Sequence, residues 1–470
     1  MKAALAKWLD EIRSSYWFVP ALMVSVSIGL ALGLTTLDEI LGAKGMDDAA
    51  WLLNHRPEGA RALLAAIAGS MITVAGVTFS VTITTVVNAA AQFGPRLLTN
   101  FMRDRGNQIT LGTFISAFVY CLLVLRSVRS ADETIGSDAA GGFVPQLAML
   151  GALGFALAGV AMLIYFVHHV PASVHISHVI ARIGAELSAQ IDWLYPLPQR
   201  ASEAEDTNAA HTAPAEHVLR EQVAIATPID SQRDGYLQHL YGQGLLSAAT
   251  DHDLRIFVVC QPGDFVIARR PLVYVWPALR LKQDAAERIR NCFAFGSQRT
   301  QAQDLMFLLQ ELVEIAVRAL SPGVNDPVTA IKCMDWLAAA MSNMARRQHP
   351  DPFRFDDSGE LRVVYQPSDF AALLGTVCEG LRPHAARDPQ AAVYMLQSLG
   401  AVAPDVLAAS DREALLQHVN LVNDSARREL QHEADREVLG RAYQRALALI
   451  RDAGRHEHSR LIGALAGGAP

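Results

Sequence analysis

Residues 61–96 read RALLAAIAGSMITVAGVTFSVTITTVVNAAAQFGPR, and no charged side chain lies between Arg61 and Arg96. As a helix rising ~1.5 Å per residue, this stretch reaches ~50 Å, well beyond a ~30 Å hydrocarbon core. Serine, threonine and asparagine are threaded through it. A span with hydroxyls on several sides meets protein or water as well as lipid. The stretch decides the class, which is an integral membrane protein built mainly from α-helices.

Working outward, four segments qualify as spans, at about residues 16–37, 62–92, 109–125 and 144–167. Lys2, Lys7 and Arg13 precede the first, as they would a cleavable signal. Its apolar run is long for a signal core and the cleavage sites after it are poor, so retention is expected. No Asp, Glu, Lys or Arg is expected inside any span, so the usual sign of a proton relay or coupled transporter is missing. Arg96, Arg103 and Arg105 lie between spans two and three, and His168, His169 and Arg182 follow span four. The other two loops are acidic, with Asp38, Glu39, Asp47 and Asp48 in one and Asp132, Glu133 and Asp138 in the other. Basic flanks on one side predict cytoplasmic N- and C-termini.

The chain has 470 residues, 51% of them apolar, and a net charge of -7. That balance argues against nucleic acid as a partner. Its five cysteines are scattered without a CxxC and read as reduced core residues. The expected organisation is a four-helix transmembrane domain at 1–170 and a connecting helix with polar linker at 171–222. A small β module at 223–281 and a helical domain at 282–470 follow, both cytosolic.

On a helix, Ser70, Thr73, Val77, Ser80, Thr84 and Asn88 share one face, with Gly69 and Gly76 beside it. Thr78, Thr82, Thr85 and Gln92 form a second, weaker row. Two readings compete for these residues. One is the wall of a hydrated path in a homo-oligomer. The other is tight packing, with each hydroxyl bonded back to its own helix. Gly94-Pro95 ends the helix. Pro95, Arg96, Arg103 and Arg105 then mark an interfacial elbow, either structural or a gating linker.

The run GSMITVAGVTFSVTITTVV…QFGPRLLTNFMRDRGNQITLGTFISAFVYCLLVLRSVR, with RALSPGVNDPVTAI further on, resembles the bacterial predicted membrane proteins of domain-of-unknown-function family 2254. The likeness covers most of the chain. It implies a multi-span protein of the bacterial inner membrane and carries no activity or ligand with it. Thr84, Thr85 and Asn88 are a departure, since relatives are expected to be more apolar there.

HHVPASVHISH places His168, His169, His175 and His178 just past span four. His175 and His178 share a helix face, as metal ligands can. Interfacial histidines meeting headgroups are the plainer reading, and no metal site is assigned. In 223–281, alternating apolar residues and the Pro262-Gly263-Asp264 turn suggest short antiparallel strands, similar to barrel-sandwich modules of the lipoyl or biotinyl type. The segment Val223 to Leu281 holds no lysine, so covalent attachment of such a cofactor is excluded and no cofactor is expected.

In SPGVNDPVTA, Asp326 suits an N-cap and Pro327 the first helical position. A polar site formed by Asn325 and Asp326 with Glu311 and Glu314 is the alternative. Further helices are expected near 368–383, 387–405, 411–429 and 431–454. No P-loop, GxGxxG after a strand, HExxH or GxSxG is present, and no enzymatic activity is expected. Two functions remain: a homo-oligomeric channel-like protein for ions or small solutes, or a membrane-anchored scaffold or sensor whose cytosolic part binds a protein or small ligand.

Overall fold

The computed structural model describes residues 17–41, 57–93, 104–129, 143–195, 215–347 and 351–466. The chain divides into two compact units that meet in sequence between His178 and Val179.

The first unit contains α1 (Phe18–Leu41), α2 (Pro57–Phe93), α3 (Arg105–Ser127) and α4 (Gln146–Val174). All four are long and apolar enough to cross a membrane. They coincide with the expected spans but run past them by several residues at one or both ends. α1 continues past its expected span through Asp38 and Glu39, as α2 begins before its own with Glu58 and Arg61 and α3 is bounded by Arg105 and Arg126. The apolar run ends at Leu37, yet the helix carries one further turn.

α3 is the hub, and α1, α2 and α4 all pack on it. Phe114, Ala117, Tyr120, Cys121 and Val124 meet Ala31, Ala60, Leu64, Ala68, Ala148 and Ala152. Small residues let the backbones approach, as expected where lipid removes the hydrophobic drive between helices. Gly151 shows the limit, since a Cβ there would lie 2.2 Å from the Tyr120 hydroxyl oxygen.

The second unit begins in α5 (Ile176–Leu194), whose buried stripe is Val179, Ile180, Ile183, Leu187 and Ile191. Gly184 seats the ring of Trp336. After α6 (Glu216–Ala224) come β1 (Thr227–Asp230), β2 (Gly235–Leu240), α7 (Gly242–Asp251), β3 (Arg255–Val258), β4 (Phe265–Val266), β5 (Pro271–Trp276), α8 (Gln283–Arg290) and β6 (Phe293–Gly296). Helices α9 (Leu305–Ala319) and α10 (Pro327–Ala345) lead to β7 (Phe353–Phe355) and β8 (Leu361–Val364). The chain then enters α11 (Phe370–Ala385), α12 (Pro389–Val402), α13 (Ala409–Glu429) and α14 (Glu433–Ala466).

The strands form an open five-stranded sheet, β1-β5-β3-β8-β7, and an open three-stranded sheet, β4-β2-β6. Neither closes, so the barrel-sandwich expectation finds no barrel among the described residues. Its reason is visible in the chain order. β6, β7 and β8 come from beyond residue 281 and extend the sheets instead of sealing them. Ile229, Leu237, Ile256, Val273, Val275 and Phe293 form the core beneath.

One device sets the helix starts. Asp304, Asp326, Asp369 and Asp388 cap α9, α10, α11 and α12, each accepting from the N–H three residues on. A carboxylate there satisfies an orphan donor and meets the positive end of the helix dipole.

Candidate functional site

All six residues of the α2 polar face, Ser70, Thr73, Val77, Ser80, Thr84 and Asn88, are exposed in the single chain. At ~100° per residue this face points roughly 150° away from the buried stripe of Ala60, Leu64, Met71, Ala75 and Thr82. The face is therefore turned outward. Ser70 donates to the Ala66 carbonyl at 2.7 Å, Thr73 to Gly69 at 2.8 Å and Thr84 to Ser80 at 2.9 Å. Each hydroxyl spends its proton on its own helix and keeps oxygen lone pairs outward. A Cβ on Gly69 or Gly76 would meet nothing within 4 Å.

The second row behaves differently. Thr78 and Thr82 are buried, and they donate to Ala75 at 3.0 Å and Thr78 at 2.8 Å. Thr78 and Thr82 are packed inward, whereas Thr85 is half-buried and donates to the Val81 carbonyl at 2.7 Å. The side chain of Gln92 lies outside the described residues, as do Pro95, Arg96 and Arg103.

Arg105, the first residue of α3, is exposed. Beside it Asp104 caps the helix, with Oδ1 accepting from Gly106 N–H at 2.7 Å. Its other oxygen lies 3.0 Å from His169 Nε2. His169 stacks on Tyr165 at 4.8 Å between centroids. Gly106 permits this, because a Cβ there would sit 2.6 Å from His169 Nε2. His175 and His178 place their rings edge to face, 5.8 Å apart. Among the described residues no group of three His, Cys, Asp or Glu gathers into a metal set.

Two polar features of this unit are absent from the sequence reading. Asp38 is buried and accepts from the Leu147 and Ala148 N–H groups, both at 3.0 Å, capping α4 from another helix. Its acidity was visible, but not its partner. α3 buries Asn107, Gln108, Thr110, Thr113 and Ser116. Thr110 and Thr113 bond back to their own helix at 2.8 Å. Asn107 Oδ1 and Ser116 Oγ find no protein partner. Their spacing of about three was a usable signal.

In the second unit, Asp326 caps α10 and also accepts from the Thr329 hydroxyl at 2.6 Å. That hydroxyl bond, opposed by partial burial, holds the Asp326 carboxyl below the usual carboxylate range. Asn325 takes a left-handed φ of 49° to turn the chain into the helix. Glu314 pairs with Arg318 at 3.6 Å along α9, and Glu311 is buried.

A cavity of about 360 Å³ opens where the Gln261–Asp264 turn meets Asp304, Arg354, Tyr365 and Ser368. Arg299 clamps Asp304 in a two-point bond at 2.7 and 2.9 Å. Burial pushes the Asp304 carboxyl up, against the pull of Arg299. Burial also pushes the Tyr365 phenol up to about 12, so it stays a neutral donor. Gly263, with φ of 99°, passes so close to Asp304 that a Cβ would lie 2.3 Å from its carboxylate.

Comparison with known proteins agrees with this architecture. The family model described as "Predicted membrane protein (DUF2254)" matches residues 13–401. An uncharacterised protein of Mycobacterium bovis is 32% identical over 447 residues, covering 94% of this chain and 82% of its own length. An uncharacterised protein of Mycobacterium tuberculosis matches to the same extent. No solved structure matches. With most of its length matched and four apolar helices in place, the chain belongs to the DUF2254 family of predicted membrane proteins.

Proposed function

We propose that this membrane protein acts as a homo-oligomeric, channel-like protein of the bacterial inner membrane, with α2 lining the path for ions or small solutes. One observation carries this reading. The face of Ser70, Thr73, Ser80, Thr84 and Asn88 points out of the single chain, away from its core. A polar face in that position suits a shared axis better than bulk lipid, and closed symmetry would bring copies of it together. With their protons bonded inward, the hydroxyls of Ser70, Thr73 and Thr84 offer lone pairs to the path, which favours a cation over an anion.

Single-channel recording of the purified full chain in planar bilayers tests this. Ser80→Leu and Thr84→Leu are expected to lower the conductance. Absence of current, or current indifferent to both substitutions, overturns the proposal.

A second reading rests on the Asp304 cavity. A membrane-anchored sensor would bind a small polar ligand there, in a cytosolic second unit. Gly263→Val, which drives a side chain into Asp304 at the cavity, would then weaken binding of that ligand to the full chain.

A further inference from the structure

Beside the polar face, and sharing Thr73 and Val77 with it, α2 lines an open groove. Thr73, Val81 and Thr85 form one wall of the groove, Leu163 and Val167 of α4 form the other, and His175 stands at its end. The groove holds about 710 Å³. By helical geometry it is centred roughly 50° from the polar face.

Length, polarity and charge together identify an occupant. From Thr73 to Thr85, and from Leu163 to His175, each wall advances twelve residues. At ~1.5 Å per residue that is ~18 Å, close to the ~15 Å of one leaflet of a ~30 Å core. Thr73 and Thr85 spend their protons on their own helix, on Gly69 at 2.8 Å and Val81 at 2.7 Å, so the lining presents an acyl chain with no free hydroxyl donor from either. His175 is the one titratable side chain of the lining and stands with Thr85 at its far end. Toward that same end of the helices, exposed His168 lies in the last turns of α4 and exposed Arg105 opens α3, beside Gly106, which rests against Tyr165 and His169.

We propose that this groove holds one acyl chain of an anionic phospholipid, from the leaflet at the C-terminal ends of α2 and α4, with its headgroup among Arg105, His168 and His175. The chain replaces water-exposed apolar surface, and the basic end selects the headgroup's charge. Thr73 and Val77 border both the groove and the polar face, so the test reads lipid binding and not conductance.

Native mass spectrometry of the full chain in detergent tests it, with phosphatidylglycerol and phosphatidylcholine of identical acyl chains as probes. The unaltered chain is expected to take one phosphatidylglycerol per copy, in preference to phosphatidylcholine. Val81→Trp and Leu163→Trp fill the groove. Excluding even two methylenes weakens binding about ten-fold. Val26→Trp, at a position 63% exposed on α1, is the folded control and keeps the lipid. Arg105→Gln is expected to cut the preference for phosphatidylglycerol about five-fold and leave phosphatidylcholine unchanged.

Equal binding by Val81→Trp and Val26→Trp overturns the proposal, as does a preference indifferent to Arg105→Gln. So does efficient disulfide formation between copies of Val81→Cys with phosphatidylglycerol present, which would put a second copy in the groove.

Discussion

Arg347 holds α5 to α10, and its removal tests which bonds do the holding. Its side chain is 5% exposed, whereas that of its ionic partner Asp192 is 60% exposed. The guanidinium also donates to the Tyr195 carbonyl and, at 2.9 Å, to Asn343 Oδ1. Arg347→Met keeps the volume and removes all three acceptors' donor. Hydrogen bonds involving a charged group are worth about 1.5–3 kcal/mol, while the exposed carboxylate rehydrates and contributes at most about 1. The expected loss is about 3 kcal/mol, mostly from the Tyr195 carbonyl and the Asn343 amide. Asp192→Ala leaves the buried cation with both neutral acceptors and is expected to cost only about 0.5–1 kcal/mol.

For a unit of this size each kcal/mol moves Tm by about 2–4 °C, so Arg347→Met lowers it by about 6–12 °C and Asp192→Ala by less than about 4 °C. Thermal unfolding of the detergent-solubilised full chain, followed by tryptophan fluorescence, reads this directly. Trp336 reports on the same helix pair because its ring seats on Gly184. Equal shifts from the two variants would refute the reasoning, since the surface ion pair would then be the main bond. So would an Arg347→Met chain that melts with the unaltered one.

Asp326→Ala is expected to cost about 1 kcal/mol at neutral pH through loss of the α10 cap. Because the folded carboxyl titrates below its unfolded value of ~3.9, that stability is present above pH ~4 and is lost as pH falls through the lower folded pKa. The gap between variant and unaltered chain should therefore narrow in acid melts. Gly106→Val would drive a side chain into His169 and Tyr165, and is expected to lower the melting temperature of the membrane unit. Gly59→Val, where a Cβ meets nothing within 4 Å, should leave it unchanged. Asp38→Ala strips the α4 cap and should destabilise the membrane unit by about 1–3 kcal/mol, with Asp38→Asn recovering part of the loss, as read by guanidinium-resistant helicity in detergent.

Much of the membrane unit was legible because bilayer thickness acts directly on composition. A run such as 61–96 has no other stable home, and the α10 cap at Asp326 and Pro327 is a local pattern that the structure reproduces. The four C-terminal helices likewise follow from apolar periodicity, helped in α11 and α12 by Asp369 and Asp388 at their starts. Contacts between distant residues were not legible. Nothing in the sequence near Asp38 announces Leu147 and Ala148, and nothing at Asp104 announces His169. The sheets went the same way, since β8 pairs in parallel with β3 from about a hundred residues downstream.

Sequence alone determined that this chain enters a membrane, where its spans lie and which faces of each helix are polar, because those properties depend on neighbours within a few turns. Only the tertiary structure decided which faces are used. It buried the polar residues of α3, packed Thr78 and Thr82 of α2 inward and left Ser80 and Thr84 outward. Helical periodicity lays out the faces of a helix, but the other helices decide which of them is covered.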